Sequence, residues 1–430
     1  MKGTAMKKDR KKSRRQEVSN EVGEIRRRIS LGEVVVDVRA DLRELMVQSG
    51  SQVLAALLQE DLAGLCGPRY ARKDEGQARR WGKDRGELVL GGRKINVDKP
   101  RARLNDREFE LPTYVQFQSE DPLSERMLEQ MLIGVSTRKY SRSLEPVPEE
   151  LTASSTSKSE VSRRFVKMTE AQVEEALTKP LDKVEWAAVM VDGISYAEHI
   201  IVVALGIDAS GKKHLLGVRE GSTENATLCK EMLSELVGRG LPADRSLLVV
   251  IDGGKGIRKA VTQVFGRYAL VQRCQVHKTR NVVEQLPEGK RAQVRAALAQ
   301  AYGAGTAESG LTQLKNLART LKPMHPGAAA SLEEGLEEML TLNRLGIGGL
   351  LAKTLRSTNP IENLNGTLRH VSKRVKRWSS GRMALRWAVA GALEAAGRFH
   401  RIKGFAQLPQ LLAALRANDQ LLKTPVAKAG

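Results

Sequence analysis

The chain has 430 residues, and its 71 Lys/Arg against 50 Asp/Glu leave a formal charge of +21 at pH 7. That length is ample for two or three domains with real cores, and so positive a charge favours polyanionic partners, DNA or RNA first. Three scattered cysteines (Cys66, Cys229, Cys274) exclude a disulfide framework, and no apolar run reaches the roughly 18–20 residues that span a bilayer. The basic start, Met1 to Arg15, has no apolar run behind it and does not read as a signal peptide. The expectation is a cytoplasmic, nucleoid-associated protein with no membrane segment.

Residues 1–28 hold eleven Lys/Arg and four Asp/Glu, a solvated basic arm. From Val34 to Leu65 apolar residues recur at helical spacing, with Ser49-Gly50 as an expected break. Gly91-Gly92 separates two short β-like runs, Glu87–Leu90 and Lys94–Val97, with a third around Phe109. Together these predict a small β-hairpin element rich in Arg and Lys within an N-terminal region, 29–120. Residues 121–182 return to helix on both sides of a Pro/Ser/Thr-rich turn. Ser157 or Ser159 is placed to cap a helix that presents Arg163, Arg164 and Lys167 early. Helix, polar turn and basic helix outline either a DNA-reading helix-turn-helix or an ordinary amphipathic hairpin.

At Glu185 the texture changes. Val189–Asp192, His199–Ile207 and Lys213–Val218 read as three strands, with Asp208–Gly211 as the hairpin turn between the second and third. Thr223–Gly238 is helical, Leu247–Ile251 is a fully apolar fourth strand, a helix runs to Phe265, and Ala269–Arg273 is a fifth strand. Three antiparallel strands followed by strands alternating with helices predict an α/β domain. Between 288 and 350 only helices are expected (Arg291–Tyr302, Leu311–Leu321, Ala328–Leu342), followed by one from near Thr358 and one over Met383–His400.

Asp192 closes the first of these strands and Asp252 directly follows the fourth. If those strands are neighbours, the two carboxylates lie side by side and repel each other unless a cation intervenes. Hard divalent ions such as Mg²⁺ take oxygen ligands, and a pair of them serves phosphodiester chemistry. Glu362 has two readings. Asn359 as N-cap, Pro360 at the first helical position and Glu362 at the third make a capping box variant. Glu362 also heads a polar face, Glu362, Asn365, Arg369, Lys373 and Lys376, opposite an apolar stripe of Ile361, Leu364, Leu368, Val371 and Val375. Gly253-Gly254-Lys255-Gly256 lacks P-loop spacing, which disfavours an ATPase.

Asp192, Asp252 and Glu362, with Arg273-Cys274-Gln275-Val276-His277 after the fifth strand and Thr358-Asn359-Pro360-Ile361-Glu362, resemble the mutator-type insertion-sequence transposases. The likeness runs from roughly Val34 to His400. It implies a DDE enzyme with a ribonuclease-H-like catalytic domain, built on a mixed five-stranded sheet with flanking helices. The resemblance places the first part of that domain at 183–285, an all-helical insertion at 286–355, the second part at 356–405 and a tail at 406–430. A mostly helical DNA-binding region with the small hairpin precedes it.

The resemblance makes Asp192, Asp252 and Glu362 the catalytic and metal-binding acids for two Mg²⁺, with Mn²⁺ as a substitute. It implies cleavage at the element's ends, strand transfer, terminal inverted repeats and target DNA as partners, a copy-out route through a circular intermediate, and a homo-oligomer on paired ends. DNA contacts are expected from Arg163, Arg164, Lys167, Arg369, Lys373 and Lys376. Cys274 and His277 form half a zinc ligand set with no second pair, which favours local packing beside Asp252, with His277 as an accessory at the scissile phosphate. Ser195-Tyr196-Ala197-Glu198 departs from the family, many of whose members carry a basic residue shortly after the first Asp. The alternatives are an inactive DNA-binding regulator and a nuclease without strand transfer.

Overall fold

The computed structural model describes residues 31–69, 78–104, 107–119, 124–144, 151, 153–154, 157–223 and 225–423, so the basic arm lies outside it. The chain divides into two compact units, residues 1–131 with 135–162, and residues 132–134 with 163–430.

In the first unit α1 (Leu31–Cys66) is one continuous helix, without the break expected at Ser49-Gly50. A glycine inside a long helix costs only about 1 kcal/mol. Here it also makes room, because a Cβ on Gly50 would stand 3.3 Å from Leu90 Cδ2. The two β-like runs are the tip of a longer antiparallel ribbon, β1 (Arg79–Leu90) and β2 (Arg93–Leu104). Two short strands, β3 (Arg107–Phe109) and β4 (Ala153–Ser154), pair with β2. Helices α2 (Pro112–Ser119) and α3 (Ser124–Leu132) follow the ribbon. Leu54 and Leu58 of α1 bury against Leu88, Ile95 and Leu111.

Between α3 and α4 (Lys158–Thr178) the described residues include a 3₁₀ turn at Tyr140–Ser143, while Pro146 and Pro148 of the expected polar turn lie outside the described residues. Ser157 is the cap of α4, its Oγ accepting the Glu160 N–H at 3.2 Å. The two units divide within α4, at Ser162 and Arg163. From there on the helix packs into the larger unit. The Phe165 ring lies 4.7 Å from that of Trp387, and Val173, Ala176 and Leu177 pack against the core.

The larger unit is built on a mixed sheet of β5 (Trp186–Tyr196), β6 (His199–Asp208), β7 (Lys213–Gly221), β8 (Leu247–Ile251) and β9 (Ala269–Arg273), in the order β7-β6-β5-β8-β9. The first three form an antiparallel meander, while β8 runs parallel to β5 and β9 parallel to β8. Strand alternation sends Val189 and Val191 to one face and Met190 and Ile194 to the other. The first face is covered by α5 (Ala226–Gly238) and α6 (Lys255–Phe265) through Leu233, Leu236, Ile257 and Val261.

Between β9 and residue 355 lie only helices: α7 (Gln275–Glu284), α8 (Glu288–Tyr302), α9 (Ala307–Leu321), α10 (Pro326–Glu333), α11 (Thr341–Arg344) and α12 (Gly349–Leu355). The helix expected over Ala328–Leu342 is thus two helices with a 3₁₀ turn, Glu337–Leu340, between them. Leu298, Leu314, Ala328, Leu332 and Met339 give this stretch a core of its own. It is tied to β9 through Thr341 Oγ1, which donates to the Val271 carbonyl at 2.5 Å, and through Gln272, whose Oε1 accepts the Leu342 N–H at 3.1 Å. The chain then forms α13 (Asn359–Ser372), α14 (Gly381–Ala396) and α15 (Leu408–Lys423). Ile361, Leu364, Leu368, Ala388 and Leu411 from these helices cover the second face of the sheet. The larger unit is a three-layer α/β/α body with a helical insertion.

Candidate active site

Pairing between β5 and β8 ends at Val191↔Ile251, so the next residues, Asp192 and Asp252, emerge from neighbouring parallel strands at the same end of the sheet. Asp192 is not the last residue of its strand, as the pattern suggested. β5 continues to Tyr196 along β6. Asp252 does leave the sheet, into a turn where Gly253 takes φ +105° and the Gly254 N–H donates to Asp252 Oδ1 at 2.8 Å. Burial, with the neighbouring charge of Asp252 second, pushes the Asp192 carboxyl up to about 6.

Helix α13 carries the third acid, Glu362, whose ligand atoms group with those of Cys274 and His277. The N-cap of the helix is Thr358, with Asn359 and Pro360 as the first helical residues and no side-chain cap. The expected capping box, with Asn359 as cap, is therefore absent. Instead the Thr358 hydroxyl donates to Glu362 Oε1, one turn on, and the Glu362 side chain is 37 % exposed. The carboxylate is thus held by the side chain of the N-cap residue rather than by a backbone N–H of the first turn, and it is partly open to solvent.

Asn365, expected on the exposed polar face, is 1 % exposed. Its Nδ2 donates to Asp192 Oδ2 at 2.8 Å, while Asp192 Oδ1 accepts the Gly193 N–H at 3.0 Å. Glu362 and Asn365 are thus one helical turn apart, and Asn365 fastens that turn to the first acid.

The Arg273–His277 segment closes the site. Cys274 leaves β9 with its N–H on the Ile251 carbonyl at 2.8 Å and caps α7, its Sγ accepting the backbone N–H groups of His277 and Thr358, each at 3.5 Å. Burial raises the Cys274 thiol, but hydrogen bonds from His277 and Thr358 outweigh it and hold the group below its usual range. The His277 imidazole is raised to about 9, first by its hydrogen bond with Cys274 and then by the charges of Cys274, Glu362 and Asp252, against the pull of burial. It also acts on Asp192. A cationic imidazole therefore stands within electrostatic reach of all three acids, and Nδ1 lies 3.8 Å from Glu362 Oε1. Ligand atoms of Cys274, His277 and Glu362 fall within 4.8 Å of one another. The sulfur, however, is fully buried and already accepts two backbone N–H groups.

The profile of the Mutator family of transposases matches residues 31–400. This chain is a Mutator-family transposase. It is similar to the transposase for insertion sequence element ISRM5 from Rhizobium meliloti, 28 % identical over 82 % of this chain and 87 % of the relative. The transposase for IS256 in transposon Tn4001 from Staphylococcus aureus is 28 % identical over 71 % of this chain and 78 % of its own length. That for IST2 from Acidithiobacillus ferrooxidans is 31 % identical over 41 % of this chain, which spans 58 % of the relative.

The basic residues of the transposase are distributed less simply than a helical face. Arg163 and Lys167 are exposed on α4 and Arg164 is half-buried. Arg369 is exposed on α13, but that helix stops at Ser372, so Lys373 and Lys376 lie in the segment that follows it rather than at helical spacing. Val375 likewise leaves the apolar stripe. The segment is pinned where the Trp378 ring stacks on Tyr196, 4.7 Å between centroids and 13° between planes. Glu198 is exposed, its side chain at 73 %. The sequence pattern missed Asn365 and Thr358, and only their spacing from Glu362 marked them. It also missed Glu338, whose Oε2 accepts from Arg273 Nε at 2.7 Å and ties the insertion to the strand that leads into Cys274.

Proposed function

We propose that the transposase is a DDE enzyme whose Asp192, Asp252 and Glu362 hold two Mg²⁺, with Mn²⁺ able to replace them, on a ribonuclease-H-like domain interrupted by the helical insertion. The observation that carries the reading is the β5–β8 register, which sets Asp192 beside Asp252. The acids suit the ions in chemistry, but among the described residues Glu362 groups within 4.8 Å with Cys274 and His277 rather than with both Asp carboxylates. Carboxylate oxygens are hard ligands, and the repulsion that helps raise Asp192 is what a divalent cation relieves. Bound Mg²⁺ would activate water or a 3′-hydroxyl and stabilise the departing 3′ oxygen.

The chain's own residues prepare that chemistry. Asn365 and the Gly193 N–H each take one oxygen of Asp192 and fix its plane. Thr358 orients Glu362 by its hydroxyl. His277, its imidazole raised toward the cationic form, offsets the acids and would meet a phosphate oxygen of bound DNA. The reading extends to end cleavage followed by transfer into target DNA, with terminal repeats bound by the region before residue 183. It includes a copy-out route through a circle and a homo-oligomer that pairs two ends. The partner is DNA, and Arg163, Arg164, Lys167, Arg369, Lys373 and Lys376 contribute contacts.

The test is supercoiled donor DNA bearing the element's ends, incubated with the protein and Mg²⁺. Joined products that vanish with Asp252→Asn support the proposal. Cleavage without joining identifies a nuclease, and a mobility shift alone identifies a DNA-binding regulator.

A further inference from the structure

We propose that the outer face of the β1–β2 ribbon, around Arg79, Trp81 and Arg103, binds the backbone of duplex DNA. This surface belongs to the smaller unit and does not depend on the metal reading of the acids.

Between Arg79 and Phe109 there are ten Lys/Arg and five Asp/Glu. Three of those acids are already engaged within the ribbon: Asp98 with Lys83 at 3.3 Å, Glu87 with Lys94 at 3.4 Å, and Glu108 with Arg101 at 2.6 Å. Arg79, Arg85 and Arg107 are exposed, and neither they nor Arg103 form an ion pair among the described residues.

The register sharpens the point, for Arg79 and Arg103 are direct cross-strand partners. Like charges directly opposite one another destabilise a strand pair, and a shared anion removes that cost. Beside them the register shifts between Arg80 and Lys83, a bulge that re-aims the intervening side chain. Trp81, in that bulge, is 54 % exposed, with the Arg103 guanidinium 5.1 Å from its ring centroid. Arg103 Nε is shielded from solvent and has no hydrogen-bond partner among the described residues.

An open indole, a guanidinium over it and a second arginine directly across the strand pair gather positive charge beside an exposed aromatic face. This chemistry suits a run of phosphates with a sugar face between them. A two-stranded ribbon is also of a width that the DNA major groove, about 12 Å across, admits.

The experiment uses the full-length protein with a fluorescein-labelled duplex of about 30 base pairs, in EDTA, followed by anisotropy across a KCl series. Removing one phosphate-binding side chain lowers the slope of log K against log salt by about one. Arg79→Ala/Arg103→Ala should therefore lower it by about two, with affinity at physiological salt down about tenfold or more. Trp81→Ala should weaken binding roughly fivefold with the slope unchanged, because the indole does not bind through charge. If the double variant melts early, the single variant Arg79→Ala, at an exposed position, replaces it, with the slope lowered by about one. A folded double variant with wild-type slope and affinity, or a Trp81→Ala protein that binds as tightly as wild type, overturns the proposal. Because EDTA removes catalysis, the result stands whether or not the acids prove to be a metal site.

Discussion

Asn365 donates from its buried amide to Asp192 Oδ2 at 2.8 Å, a bond between residues 173 positions apart. It joins the helix that carries Glu362 to the strand that carries the first acid, so the geometry of two proposed ligands depends on one amide. Partners that orient metal ligands typically contribute about 10–100-fold to metal affinity. Asn365→Ala is expected to weaken Mn²⁺ binding by that factor, read from the free-Mn²⁺ signal in electron paramagnetic resonance. Binding of a labelled duplex should be unchanged. Unaltered Mn²⁺ affinity in a folded variant would reduce Asn365 to a packing residue.

Asp192 sets a pH dependence whose sign is fixed. Its carboxyl is raised to about 6 from an ordinary value near 3.8. Between those values the folded protein binds more protons than the unfolded chain, so this group's contribution to stability falls as pH rises from about 4 to 6. Without metal, Asp192→Asn is expected to be more stable than wild type at pH 7, by about 1–3 kcal/mol. The difference should close as pH falls below 4, and Mg²⁺ at pH 7 should raise the wild-type melting temperature more than the variant's. Denaturant unfolding at a series of pH values checks this, and a gap that widens toward low pH would contradict it.

Much of this architecture was legible in the sequence because it rests on local pattern. The apolar run Leu247–Ile251 and the alternation in Val189–Asp192 mark strands by themselves, and the Asp after each fixes a position. The sheet order then places the acids together. What stayed hidden depends on tertiary contact. Asn365 has the polarity of a surface residue and the spacing of one, and only Asp192 explains its burial. Thr358 outcompeted Asn359 as cap, although the pattern favours Asn, because its amide is held by the Cys274 sulfur from another segment. The end of α13 at Ser372 had no glycine or proline to announce it, and the stack of Trp378 on Tyr196 joins residues far apart in the chain.

A substitution at Glu362 separates its proposed catalytic role from folding. Because no capping box is present, Glu362→Gln keeps an acceptor for the Thr358 hydroxyl and should change stability by no more than about 1 kcal/mol. Strand joining should disappear, since an amide oxygen is a weaker ligand than a carboxylate. Near wild-type joining by a folded Glu362→Gln protein would remove it from the acid set.

Arg273 and Glu338 hold the insertion against the sheet. Their side chains are 7 % and 20 % exposed, and Arg258 Nε also donates to Glu338. Removing the acid leaves Arg273 buried without its main counter-charge, a cost of about 3 kcal/mol or more. Glu338→Ala should lower the urea midpoint, and hydrogen exchange should speed up in α11 and along β9. Exchange that changes instead across α5 and α6 would show the pair to matter for the sheet rather than for the insertion's attachment.

The segment after α13 provides the test of where DNA passes the acids. Arg369 stands on the helix about two turns beyond Glu362, and Lys373, Arg374, Lys376 and Arg377 follow, all exposed. Because these residues leave the helix, their direction is set by the Trp378–Tyr196 stack rather than by helical phase. Lys373→Glu/Lys376→Glu should leave the melting temperature nearly unchanged, since exposed charges contribute little to folding. It should weaken strand transfer and make it fail at lower salt than wild type. Trp378→Ala, which keeps every charge but frees the segment, should lower transfer with the salt dependence unchanged. If the double Glu variant joins ends as wild type does across the whole salt series, the segment is a solvated basic surface and the duplex runs elsewhere.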